Sequence, residues 1–256
     1  AYEIGSGLVG SEMCIRDSAG IVALFAKYKY SKGDYNGALK IFRIADKVGN
    51  LGIGDKILFG YNCLRCGELA AAKNVFSMAY MLSKPASADR FRIMSLQALV
   101  AWKEGDIELA VGKLEDVYNQ GFKNTNIYQN LGIMYNLSGD YEKALAFNKE
   151  AYDYNSDDNI IVDNLADTYS LMGEYKEAEK IYEDLINREP EPRFPEAYYG
   201  YGEVLINLGK THEGIAMIEK SLTKPFSFLS LKTKEDIENM LSSYNCLLYT
   251  SDAADE

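Results

Sequence analysis

A chain of 256 residues, 47% hydrophobic and 25% charged, has the make-up of an ordinary globular protein, and no apolar run in it approaches the roughly 18 residues a membrane-spanning helix needs. Its formal charge of −11 and its lack of a basic tract argue against nucleic acid and anionic membrane surfaces as primary partners. Four cysteines, two of them near the chain ends, do not resemble the disulfide framework of a secreted scaffold.

Residues 1–18, AYEIGSGLVGSEMCIRDS, share nothing with the rest of the chain. Glu12 to Asp17 can be written gag-atg-tgt-ata-aga-gac, which resembles the transposon end of a sequencing-library reagent, and Ala1 to Ile4 and Gly7 to Gly10 read as adapter segments around a barcode. At the other end Cys246 to Glu256, CLLYTSDAADE, can be written as the reverse complement of the same transposon end followed by its partner adapter. Both tails (1–18 and 246–256) are expected to be appended sequence, leaving 19–245 as the natural part of a longer protein. Without the −2 and −3 of the tails the charge is −6.

From Ala19 onward a lattice of small residues returns six times. Counting from the start of each unit, the eighth place is Ala26, Gly60, Ala98, Gly132, Ala166 and Gly202. The fifteenth is Gly33, Gly67, Gly105, Gly139, Gly173 and Gly209; the twentieth is Ala38, Ala72, Ala110, Ala144, Ala178 and Gly214. The fifteenth-place glycines lie 34, 38, 34, 34 and 36 residues apart, and a period near 34 with small residues at fixed places predicts stacked helical hairpins, an all-α fold.

The units fall at 19–52, 53–86, 91–124, 125–158, 159–192 and 195–228. Each is predicted to open with a helix of about fourteen residues stopped by its glycine, which tolerates positive φ. Asp34, Glu68, Asp106, Asp140 and Glu174 come next, acids suited to the start of the second helix; Lys210 makes a weaker start in the last unit. All five prolines lie at or between junctions, and the additional residues 87–90 and 193–194 read as longer inter-unit loops. Places four, seven, eight and eleven share one helix face, for example Tyr128, Leu131, Gly132 and Tyr135, and small residues at places eight and twenty let paired helices approach closely. Over 229–245, Thr233 reads as a helix cap before the stripe Ile237, Met240, Leu241 and Tyr244, either a capping helix or the first half of a truncated seventh unit.

The stretches NIYQNLGIMYNLSGDYEKALAFNKEAYDYN (126–155) and IIVDNLADTYSLMGEYKEAEKIYEDLINREP (160–190) resemble the tetratricopeptide repeat family. The resemblance covers 19–228, more weakly in the first three units, where Phe25 and Phe59 replace the usual leucine and Gln97 fits least. It implies a right-handed superhelical solenoid of antiparallel helix pairs, whose first helices line a concave groove for a protein or extended peptide. Some family members grip a chaperone's C-terminal carboxylate from this groove; here Lys27 has Ala23 one turn earlier and Leu58 at the matching place, so that clamp is not implied.

Places two, five, six, nine, twelve and thirteen form the stripe expected to face the groove. Its candidate binding residues are Tyr61, Arg65, Arg92 and Trp102, then Asn126 and Asn130, then Asp163, Asn164, Asp167 and Glu203. Gln129, Asn136, Glu196 and Tyr199 share the stripe, which runs from aromatic and basic to acidic and so suits a ligand oriented by complementary charge. Asn130 and Asn164 occupy the same place in consecutive units, so their amides are expected to hold an extended backbone; a structural role, common for asparagine at this place in the family, is the alternative.

Reactive chemistry is hard to find. Cys63-Leu64-Arg65-Cys66 lies at the C-terminal end of a predicted helix, where the dipole does not lower a thiol pKa, and Cys63 occupies a core place. The one histidine, His212, has no nucleophile or acid nominated by spacing, and the glycine-rich 49–54 falls on a junction with no strand before it. The chain is therefore expected to be a non-catalytic interaction scaffold without cofactor or metal and with no nucleic-acid partner. The alternatives are the docking arm of a larger enzyme or a self-associating assembly protein. Cytoplasm is the default compartment.

Overall fold

The computed structural model describes residues 19–49 and 51–252, with side chains described as far as Tyr244. Every regular element among them is a helix: α1 (19–31), α2 (Tyr35–Val48), α3 (Ile53–Arg65), α4 (Leu69–Leu82), α5 (Ala88–Lys103), α6 (Ile107–Asn119), α7 (Thr125–Ser138), α8 (Tyr141–Tyr154), α9 (Asn159–Leu171), α10 (Tyr175–Ile186), α11 (Glu196–Asn207), α12 (Thr211–Ser221) and α13 (Lys234–Asp252). Six helix pairs and a final single helix thus follow the period of the sequence. They fall into two compact units, α1–α6 ending at Phe122 and α7–α13 beginning at Lys123. The tail at 1–18 and residues 253–256 lie outside the described residues, while α13 runs through 246–252 of the second proposed tail.

The first helix of each pair stops where the sequence places its glycine. Gly139 at φ +81° is typical, and the other five fifteenth-place glycines share its left-handed conformation. The acids after them divide by side-chain length. The carboxylates of Asp34, Asp106 and Asp140 accept the backbone N–H of Gly37, Leu109 and Lys143, whereas Glu68 and Glu174, one methylene longer, make no side-chain cap. Those two acids therefore correct the expectation that all five start a helix alike.

Residues 87–90 are a second correction. Ser87 caps α5 by accepting from Arg90 N–H, so 88–90 form the first turn of a 16-residue helix instead of a loop. At the far end Thr233 behaves as expected. Its hydroxyl accepts from Asp236 N–H while the Asp236 carboxylate accepts from Thr233 N–H, a reciprocal capping box that opens α13. Ile237 and Leu241 of α13 then pack with Tyr199, Ile215 and Ile218.

Within the pairs the small places are fully buried at Ala38, Ala72, Ala110, Ala144 and Ala178. In the sixth pair both are glycine, and a Cβ on Gly202 would lie 2.6 Å from the Gly214 carbonyl oxygen, so α11 and α12 touch backbone to backbone. Large side chains fill the space between: Phe42 stacks on Phe59 with ring centroids 5.5 Å apart, and Tyr182 and Tyr198 are fully buried in the second unit.

Candidate functional site

In the first unit the candidate residues form an aromatic and basic group on the first helices. Tyr61 on α3 is half-buried, and that burial pushes its phenol above the ordinary value; the charges of Arg65 and Arg92 oppose the shift. The Arg65 guanidinium lies 3.8 Å from the Tyr35 ring centroid, a cation–π contact that engages it within the fold. On α5, Arg92 is exposed and Trp102 is half-buried, with the Lys103 ammonium 4.0 Å from its ring centroid. Lys27 is ion-paired with Asp55 at 2.5 Å.

Cys63 is buried and its thiol is pushed up to about 12, by burial first and then by the charge of Glu68. Both Cys63 and Cys66 are free thiols. This is the opposite of an activated cysteine. Among the described residues no cluster of histidine, cysteine, aspartate and glutamate suits a metal ion.

At the same end of the chain, Ile21, Leu24, Phe25 and Tyr28 form an apolar stripe on α1 that is 58–62% exposed. The equivalent places in α9 (Ile161, Asn164, Leu165 and Thr168) are all buried.

In the second unit the candidates separate into three environments. Asn126 is exposed and Asn130 half-buried, and no described residue hydrogen-bonds the Asn130 amide. Asn164 is buried, and its Nδ2 donates to the Gln129 carbonyl at 2.9 Å, tying α9 to the α7 backbone. The register of Asn130 and Asn164 is thus as read from the sequence, but their surroundings differ, and Asn164 offers no free amide to a ligand.

Asn136, expected to face the groove, is also buried. Its Nδ2 donates to Asn164 O and to Asp167 Oδ2, both at 3.0 Å. With Asn148 and Thr168 it completes a network between α7, α8 and α9. Asn148 Nδ2 donates to Thr168 Oγ1 at 2.9 Å, and Thr168 Oγ1 donates to Asn136 Oδ1 at 2.8 Å.

Asn148 had a sequence signature. The same place in the other units holds Phe42, Phe76, Leu114, Tyr182 and Ile218, all fully buried, so one amide among large apolar residues marks a polar core. Gly132 opposite makes the room, since a Cβ there would collide with the Asn148 Oδ1.

The third environment is acidic. Asp163 is buried, its Oδ1 accepts no hydrogen bond, and burial holds its carboxyl well above the usual carboxylate range, with the charges of Asp167 and Glu196 adding to the shift. Asp167 is pushed up to about 6 by burial, against the opposing hydrogen bond from Asn136. Glu203 is paired with Lys232 at 3.1 Å, and Glu196 accepts the backbone N–H of Leu231 at 3.1 Å. Lys232 and Tyr199 were the members of this surface least visible in the sequence, because both take their roles from packing around the start of α13.

Serial antiparallel helix pairs, glycine-stopped, with polar first-helix faces and no catalytic constellation among the described residues, define a helical-repeat interaction protein. Models of the tetratricopeptide repeat match residues 135–194 and 195–223, and the chain belongs to the tetratricopeptide repeat family. A tetratricopeptide repeat protein from Parabacteroides merdae ATCC 43184 superposes with a TM-score of 0.74 at 14% identity, over 88% of this chain and 84% of that one. A thermophilic tetratricopeptide protein of Thermus thermophilus gives 0.62 at 18% identity, over 76% and 100%. PilW, a type IV pilus biogenesis factor, gives 0.67 at 15% identity, over 88% and 98%. At such identities the likeness is one of fold. None of the curated proteins matches the chain in sequence. Proteins of this family generally mediate protein–protein interactions and are generally non-catalytic. No helix among the described residues is long and apolar enough to cross a membrane.

Proposed function

We propose that the protein is a non-catalytic scaffold that binds an extended peptide along the first-helix face of its second unit, formed by α7, α9 and α11. The carrying observation is Asn130: a half-buried amide with no hydrogen-bond partner among the described residues, next in register to Asn126. An amide donates and accepts at once, which matches the N–H and C=O of an extended backbone and needs no particular side chain. Two free cysteines suit a reducing compartment, so a cytoplasmic location accompanies this reading.

Peptides selected from a random display library and titrated calorimetrically test it. Asn130→Ala is expected to weaken them about fivefold, the worth of roughly one net hydrogen bond of about 1 kcal/mol, with an unchanged melting temperature. Asn164→Ala, by contrast, is expected to lower the melting temperature through loss of the tie to Gln129. Equal affinity for wild type and Asn130→Ala, or no peptide selected above background, removes the assignment. Self-association is a second reading, favoured by the exposed stripe on α1; a monomer mass independent of concentration in light scattering excludes it.

A further inference from the structure

Four carboxylates share the first-helix face of the second unit, Asp163 and Asp167 on α9 and Glu196 and Glu203 on α11. The chain shows that this face accepts a cation: the Lys232 ammonium sits 3.1 Å from Glu203 and 4.4 Å from the Tyr199 ring centroid. One ammonium against four carboxyl groups leaves the surface acidic. The remaining hydrogen-bonding capacity is uneven. Asp167 receives Asn136 and Glu196 receives Leu231 N–H, but Asp163, 7% exposed, keeps an oxygen with no partner.

Tyr199 adds an independent observation. It is 6% exposed, its hydroxyl has no partner, and it lies within the field of all four acids. Buried polar oxygens are nearly always satisfied, so two orphaned oxygens on neighbouring first helices mark a place built for donors that come from elsewhere. A metal ion does not fit, because no cluster of ligating side chains among the described residues suits one. Several separated acceptors fit a planar organic cation with several N–H groups. Guanidinium presents five donors in a rigid fork, whereas ammonium is a compact point charge such as Lys232 already supplies.

We propose that this face is an arginine-recognition subsite, where Asp163 and Asp167 accept the guanidinium N–H groups of a bound peptide, Tyr199 accepts a further one, and Glu196 and Glu203 supply the surrounding negative charge. The inference rests on the reading of the second unit as a peptide-binding surface. The arginine side chain enters beside Lys232, and the acids draw it in by complementary charge.

The test uses the whole chain and three fluorescein-labelled heptapeptides, Gly-Ser-Gly-Xaa-Gly-Ser-Gly with arginine, lysine or citrulline at the centre, followed by fluorescence polarisation. Citrulline keeps the shape of arginine and loses its charge. Arginine is expected to bind about tenfold more tightly than citrulline, with lysine between them. In the Asp163→Asn/Asp167→Asn double variant that difference is expected to fall below about twofold, and in Tyr199→Phe to shrink by a smaller factor. A thermal melt of each variant confirms that it is folded. Equal binding of the arginine and citrulline peptides by wild type, or an arginine preference that survives in the double variant, overturns the proposal. If display-selected peptides respond to Asn130→Ala yet show no preference for arginine, the subsite is wrong and the peptide-binding surface stands. If neither the heptapeptides nor any selected peptide binds, both are wrong.

Discussion

A carboxyl group buried without a hydrogen-bond partner opposes folding whenever it is ionised, because burial removes the hydration of the charge. Asp163 is in that position, with Asp167, Glu196, Glu203 and Lys232 as the charged groups around it and Tyr182 and Tyr199 packed nearby. Both Asp163 and Asp167 have folded-state pKa values raised above the unfolded value near 3.8, Asp167 to about 6. Between the two values the folded chain holds more protons than the unfolded chain, so stability falls as pH rises through that window. Glu191 works the other way. Hydrogen bonds from Lys224 and Tyr198 hold it at about 2, so its contribution is present above the unfolded value of 4.5 and is lost as pH falls toward 2. The chain is therefore expected to be most stable on the acid side of neutrality. Asp163→Asn is expected to raise the melting temperature at pH 7 by about 2–4 °C, the equivalent of ~1 kcal/mol, and to lose that advantage near pH 4. Melts between pH 4 and 8 check this, and a variant less stable than wild type at pH 7 contradicts it. Sequence could put Asp163 on the groove-facing stripe, but not show that it is buried. Its exposure depends on which side chains of α11 lie against it, and an in-register count carries no such information.

Helix boundaries were far more legible, because the residues that set them act locally. The fifteenth-place glycines and the small residues at places eight and twenty do what their chemistry dictates without help from the rest of the chain. The errors came where two local rules compete. Residues 87–90 looked like inserted loop by alignment to the period, but Ser87 followed by Ala88, Asp89 and Arg90 is also a sound helix start, and the cap prevailed. Acidity alone also failed to predict capping, since Asp140 reaches the Lys143 amide and Glu174 caps nothing. Asp140→Ala is accordingly expected to cost about 1 kcal/mol in chemical denaturation, and Glu174→Ala less than about 0.5 kcal/mol. Equal losses from the two changes would mean that the favourable term is charge at the helix dipole and not the capping hydrogen bond.

At the scale of the molecule, the reach of its interactions decides how it unfolds. The longest-reaching hydrogen bonds among the described residues, Asn164 to Gln129 and Leu231 to Glu196, join residues 35 apart, one repeat's length. The same is true of the tie from Asn62 to the Tyr35 carbonyl, 27 residues apart, and of Lys210 to Glu179, 31 apart. A fold stabilised by contacts within a repeat and to its neighbour behaves as a chain of coupled segments, so damage in one place need not spread to the far end. This property was readable from the period itself, although where the chain divides into two compact units was not. Phe42, fully buried and stacked on Phe59, provides the test. Phe42→Ala removes a large core side chain at a cost of about 3–5 kcal/mol. Native-state hydrogen exchange is expected to show that loss in α1 to α4, with α9 to α12 keeping their wild-type protection. Protection lost evenly from α2 to α12 would instead mean that the whole chain folds as one cooperative body, and that the one-repeat reach of its hydrogen bonds does not limit its cooperativity.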